Sequence, residues 1–387
     1  MQKPDPLALY IHWPFCVSKC PYCDFNSHVR ESVNHETWER ALLQELQTAS
    51  LSKKGPLSSI FFGGGTPSLM RPQTVQALIE KAKILFGFSP HIEITLETNP
   101  NSFEVQRFID FKKAGVNRIS IGIQSFNPDA LKFLGRAHSL EEAYHALESA
   151  QKIFDRVSFD LIYARPHQTL KSWETELNHA LTFSPTHLSL YQLTFEEGTV
   201  FEKKLQRGEI KALGENISSL LYERTQEIMG AHLLPSYEVS NHAQKGQESR
   251  HNLCYWRYQD YIGIGPGAHG RITQEEEGIE KKYATQNFKL PEKWLASIQA
   301  KEHGLETKLL LETETMFEEA LLMGIRLKEG ISLDMLSKIS EEQLTSLLKR
   351  PSLTILETEG FLEKTPTHIK ATAKGMPILN AVLAYMV

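Results

Sequence analysis

Cysteine is scarce in this chain, four in 387 residues. That excludes a disulfide-stapled scaffold, which needs cysteine in quantity and in pairs. No apolar run approaches the roughly 20 residues that a membrane-spanning helix needs. The first residues, Met1-Gln2-Lys3-Pro4-Asp5-Pro6, lack the charged-then-apolar pattern of a signal segment. Basic charge is not in excess either: the formal net charge is −5, which gives no global reason to expect nucleic acid. These absences point to a protein of a reducing, cytoplasmic compartment. Apolar residues make up 41%, enough for a large core and a second, smaller domain.

What cysteine there is lies almost all in one place. Cys16, Cys20 and Cys23 follow the apolar run Leu7 to Ile11, spaced Cys-x3-Cys-x2-Cys, while Cys254 stands alone. Clustered thiolates suggest a metal site. A closed structural zinc site wants four ligands, and no fourth cysteine or histidine follows at finger spacing. Thiolates are the usual ligands of iron–sulfur clusters. Three of them on a four-iron cube leave one iron open to a substrate. The competing readings are three ordinary loop cysteines, or zinc held with a water.

Downstream, six strands alternate with helices. The strands are expected at Leu7–Ile11, Ser58–Phe62, His91–Glu97, Arg118–Ile123, Val157–Ile162 and His187–Leu193. Helices are expected between them, over Glu36–Leu51, about Pro72–Phe86, Glu104–Lys113, Asp129–Leu134, Glu141–Ile153 and Lys171–Leu181. Such alternation argues for an α/β fold with a parallel sheet, and six units make a partial barrel. In barrels the chemistry sits on loops at the C-terminal ends of the strands. Those ends carry the three cysteines, Gly63-Gly64-Gly65-Thr66, Glu97, Gln124, Asp160, Gln192 and Thr194. Singly, each has a bland reading: a tight turn, a satisfied carboxylate, a capping amide. A whole rim of them is hard to explain by packing.

The cysteine spacing with Tyr22 before the last thiol resembles the radical S-adenosylmethionine (SAM) superfamily. Tyr-Ile-His-x-Pro-Phe-Cys-x3-Cys-x-Tyr-Cys-Asp-Phe, Gly-Gly-Gly-Thr-Pro, Glu97-Thr98-Asn99-Pro100, Arg-Ile-Ser-Ile-Gly-Ile-Gln-Ser and Asp-Leu-Ile-Tyr are similar to its oxygen-independent coproporphyrinogen III oxidase group. The resemblance implies a partial (β/α)6 radical SAM barrel. It implies a [4Fe-4S] cluster on Cys16, Cys20 and Cys23. It also implies SAM contacts from Tyr10, Tyr22, Gly64, Gly65, Thr66, Glu97, Gln124, Arg136, Asp160 and Thr194. The loop after the fifth strand usually reads Gly-Leu-Pro-x-Gln in this family. Here it is Ala164-Arg165-Pro166-His167-Gln168, and the lost glycine removes backbone freedom.

Within the group the match is to the heme-chaperone branch. Phe25 stands where the coproporphyrinogen enzymes carry another cysteine, Cys16 lies near the start, and His251-Asn252-x-x-Tyr255-Trp256 is an element associated with heme in that branch. A histidine can be an axial ligand, so His251 is the candidate for iron, with buried Cys254 a less favoured competitor. The resemblance thus implies heme as cargo and a heme acceptor protein, a membrane respiratory enzyme, reached transiently at the membrane surface. It leaves open whether the chain is a homodimer. The alternative is oxidative decarboxylation of coproporphyrinogen III. Three segments are expected: 1–235 as the barrel, 236–304 as a connecting segment with the heme-associated element, and 305–387 as a small helical, winged-helix-like domain. Gly263 to Gly270 is read as backbone lining the barrel cleft, and Glu275 to Gly278 as a hairpin tip. A hairpin is expected from Leu353–Leu362 and Thr367–Thr372. The last segment has nine basic residues against twelve acidic ones, so it lacks the basic stripe that phosphate binding needs. It is read as a lid or a protein-docking domain.

Overall fold

The computed structural model describes residues 6–53 and 55–386, so most of the Met1–Pro6 segment lies outside the described residues. All six expected strands form: β1 (Leu7–Trp13), β2 (Leu57–Gly64), β3 (Phe88–Thr98), β4 (Arg118–Gln124), β5 (Arg156–Tyr163) and β6 (His187–Gln192). The main helices between them are α1 (His35–Ala49), α2 (Pro72–Phe86), α3 (Phe108–Lys113), α4 (Pro128–Phe133), α5 (Leu140–Ile153) and α6 (Leu170–Leu181). The expected Glu104–Lys113 helix is broken into Ser102–Val105 and α3, with Arg107 between.

The six strands are parallel neighbours in chain order. A seventh parallel strand, from far along the chain, pairs with β1 on its other side (Asp260–Ile264). The sheet then continues antiparallel through His269–Glu276, Ile279–Asn287 and Leu305–Leu310, and at its other edge Asn241–Ala243 pairs antiparallel with β6, which makes eleven strands. The segment 236–304 is therefore largely an extension of the barrel sheet. The sheet runs to Leu310, past the expected boundary at 305.

A buried parallel sheet usually reads as continuous apolar sequence. These strands alternate instead. Leu9, Ile11, Ile60, Phe62, Ile94, Leu96, Ile119, Ile121, Phe159, Leu161, Leu188 and Leu190 belong to the main core, with Trp38, Leu42 and Leu46 of α1 and Leu78 of α2. The intervening residues include Tyr10, His12, Ser59, Glu93, Thr95, Glu97, Arg118, Ser120, Ser158, Asp160 and Ser189. Period-two alternation puts them on the other face, so one face of the sheet carries the polar groups.

Glu45 of α1 ties the extension to the barrel. Buried, it accepts from the N–H of Gly265 (2.6 Å), the N–H of Gly304 (2.8 Å), Asn287 Nδ2 (2.9 Å) and Trp294 Nε1 (3.0 Å). The indole of Trp294 stacks on Trp38, 5.1 Å between centroids. The Gly263–Gly270 loop is thus a structural brace. Gly265 has φ +92°, and a Cβ there would sit 2.3 Å from the His12 carbonyl oxygen.

The C-terminal unit has its own core, including Leu321, Leu336, Leu347, Leu356, Ile369 and Leu383. Its helices at Leu333–Ile339 and Glu341–Leu348 match expectation, and a small three-stranded sheet joins Ile331–Ser332, His368–Ala371 and Leu362–Lys364. The expected strand at Leu353 is instead the helix Pro351–Thr358. Proline opens its first turn, where no N–H is missed, and Leu353 and Leu356 share a face at helical spacing.

Candidate functional site

The cysteine loop leaves the end of β1 and closes over the C-terminal rim of the sheet. A cleft of about 290 Å3 lies beneath it. Cys16, Cys20 and Cys23 line that cleft together with Tyr22, Gly64, Gly65, Thr66, Glu97, Gln124, Arg136 and Asp160.

Each sulfur has its own polar neighbour. Thr66 Oγ1 donates to Cys16 Sγ at 3.3 Å, Arg136 Nη1 to Cys20 Sγ at 3.4 Å, and Ser27 Oγ lies 3.7 Å from Cys23 Sγ. Burial pushes the thiols of Cys16 and Cys23 up, against those hydrogen bonds. Among the described residues no three His, Cys, Asp or Glu side chains group as a site for a single metal ion. The three thiols line one cleft, each beside its own polar neighbour.

Gly64 is required twice over. Its φ is +110°, and a Cβ would come within 2.5 Å of the His12 ring. His12 in turn bridges Tyr10 Oη (3.0 Å) and the Asn26 carbonyl (2.9 Å), and Asn26 Nδ2 donates to the carbonyls of Pro266 and Lys289. The cysteine loop is thereby latched to the sheet extension.

Glu97 and Asp160 line the cleft half-buried. Burial first, then the charge of Asp160, pushes Glu97 up to about 8, against a hydrogen bond from the Gly64 N–H. Burial pushes Asp160 up to about 6, opposed by Ser189 and Arg118. A ligand that brings positive charge or hydroxyl donors would relieve both. SAM has a sulfonium, an ammonium and a ribose. Binding to ionised Glu97 must release its proton, so SAM affinity is expected to strengthen as pH rises from 6 to about 8.5. Calorimetry on cluster-loaded protein would measure it, and a flat profile would remove Glu97 from the contact.

Arg136 also donates to Asn99 Oδ1 (2.5 Å) and the Gly122 carbonyl (2.8 Å), while its buried Nε has no partner. That orphan donor fits a site built for an anionic ligand group. Asn99 is a lining residue that was not singled out as a site residue, though its signal stood in the Glu-x-Asn-Pro motif.

Three expected site residues lie elsewhere. Tyr10 is in the barrel interior against Phe61 and His251. Thr194 is exposed past the end of β6 and does not line the cleft. His251 corrects the ligand reading. It is 1% exposed, its Nδ1 meets Ser59 Oγ at 2.9 Å, and its Nε2 meets Tyr255 Oη at 2.7 Å. Both ring nitrogens are engaged, so none faces an iron. Burial also holds its pKa down to about 3, so it stays neutral across the usual range. Cys254 is buried as well, its thiol pushed up to about 12. The helix Arg250–Trp256 that carries them docks the C-terminal unit instead. The Arg326 guanidinium lies 5.8 Å from the centroid of the Trp256 ring, and Arg257 pairs with Glu329 at 2.8 Å.

Sequence comparison matches residues 10–180 to the Radical SAM superfamily and residues 311–378 to the HemN C-terminal domain. The chain is 35% identical to the heme chaperone HemW of Escherichia coli K12, over 99% of this chain and 98% of that one. It is 36% identical to the mitochondrial radical S-adenosyl methionine domain-containing protein 1 of Danio rerio, over 97% and 86%. Among solved structures, coproporphyrinogen III oxidase (HemN) of Escherichia coli superposes with a TM-score of 0.80, covering 99% of this chain and 90% of that one, at 20% identity. At that identity the likeness concerns the fold. Among the described residues no helix is long and apolar enough to cross a membrane.

Proposed function

The chain belongs to the radical SAM superfamily and to its HemW heme-chaperone group, and on that premise we propose that it binds heme and passes it to an acceptor protein, a membrane respiratory enzyme. Membership implies a [4Fe-4S] cluster and SAM. Cys16, Cys20 and Cys23 would hold the cluster, and Glu97, Asp160 and Arg136 would orient SAM beside it. When bound, that pair supplies one-electron chemistry. The protein's own share is to exclude water, to hold the two carboxyls in the cleft and to keep the cysteine loop latched through His12 and Asn26.

The observation that carries the chaperone reading is at Phe25. Its ring lines the cysteine cleft, 60% exposed, at the position where the coproporphyrinogen enzymes have a cysteine. The chain thus brings no fourth thiol to the cleft beside Cys23. The test supplies coproporphyrinogen III, SAM and a reductant under anaerobic conditions. Stoichiometric heme binding with no multiple-turnover protoporphyrinogen is expected; sustained turnover would replace this reading with the decarboxylase.

A further inference from the structure

We propose that the cargo heme docks in a second cleft, between α4 and α6, with His167 as its axial ligand. The proposal rests on the heme-carrier reading and gives it a place. The cleft has a volume of about 920 Å3, at the upper end of ordinary ligand cavities. It shares no lining residue with the cysteine cleft. Gln124 faces one cleft and Phe126, two residues on, the other.

Its walls suit a flat, apolar dianion. Phe126, Phe133 and Ile210 supply apolar surface, and Lys171 and Lys211 are ammonium groups without an ion-pair partner among the described residues. Two free cations match two propionates. Of the acids in the wall, Glu209 lies 3.7 Å from Arg207, Glu176 pairs with Arg165, and Asp129 sits in the first turn of α4.

Two features point to a ligand. His167 is exposed at the cleft with no hydrogen bond to its imidazole among the described residues, and its backbone is held left-handed at φ 63°. Beside it Gln168 is only 7% exposed, and its Nε2 has no partner. A buried amide lining a cleft with its donors unused asks for an acceptor. His179 also lines the cleft, but its Nε2 meets Tyr144 Oη at 3.2 Å. That leaves His167 as the wall histidine whose ring is free, and neutral imidazole is a standard ligand of heme iron.

The experiment is heme titration of the full chain, read at the Soret band. His167→Asn keeps a residue that tolerates the left-handed backbone and removes the imidazole. It is expected to shift the Soret band and weaken heme binding at least tenfold. Thr175→Trp, on the exposed face of α6, fills the cleft without touching the ligand and should weaken binding too. His145→Ala, exposed on α5 and outside the cleft, should leave it unchanged, and all three should keep wild-type melting temperature and SAM affinity. Wild-type heme affinity and spectrum in His167→Asn would overturn the site while leaving the carrier reading standing. No heme binding by the wild type would overturn both.

Discussion

Replacing any one of Cys16, Cys20 and Cys23 with alanine is expected to abolish cluster binding, while Cys254→Ala retains it. Wild type should take up about four irons and four sulfides per chain on anaerobic reconstitution. The three thiols line one cleft, and among the described residues no fourth thiol joins them there to replace a missing one. Cys254 is buried, with its thiol donating to the Asp260 carbonyl at 3.4 Å. Iron and sulfide analysis with the visible spectrum reads the result. A full cluster spectrum in Cys20→Ala would defeat the assignment. Arg136→Lys offers a subtler check: it keeps charge but not the fork that joins Cys20, Asn99 and Gly122, so SAM binding should weaken with iron content unchanged.

Arg165→Leu is expected to destabilise the fold by about 3 kcal/mol, because it strands a buried carboxylate. Arg165 pairs with Glu176 at 2.5 Å, with side-chain exposures of 9% and 7%. Glu176 also accepts from Ser125 Oγ and from the Phe126 N–H (2.9 Å). The leucine restores the residue usual in the family's loop, yet here its neighbour is an acid. Arg165→Leu with Glu176→Gln should recover most of the loss, since the amide removes the charge and still accepts from Phe126. Calorimetric melting of the single and double variants decides it, and equal melting temperatures for wild type and Arg165→Leu would show that the pair adds nothing. The same loop shows how the missing glycine is tolerated. Ala164 takes φ 56° in its place, a conformation that costs a non-glycine residue about 1 kcal/mol.

The sequence by itself determined the barrel frame and the identity of most groups in the cysteine cleft. Period-two alternation in β1 to β6 places apolar residues toward the helices, and a one-residue slip would reverse every face. That is why Glu97 and Asp160, at matching parity near the strand ends, were legible as groups of one rim, while their mutual proximity came from the fold. Gly64 was legible because a glycine run follows a strand there, and the fold supplied the reason, a φ of +110°. Tertiary structure decided what depends on residues far apart in the chain. The strand Asp260–Ile264 joins β1 through pairing that no local pattern announces. Tyr10 and His251 look alike in sequence to exposed ligands, and only packing against Phe61, Ser59 and Tyr255 puts them inside. The C-terminal helix at Pro351 was misread as a strand because short apolar runs fit both periods. His167 was one residue of the loop after β5 with no role of its own in the sequence, and only α4, α6 and Ile210 enclose a cleft around it. Spacing along a chain reports which groups share an element; which elements face each other is settled by the surface they bury together.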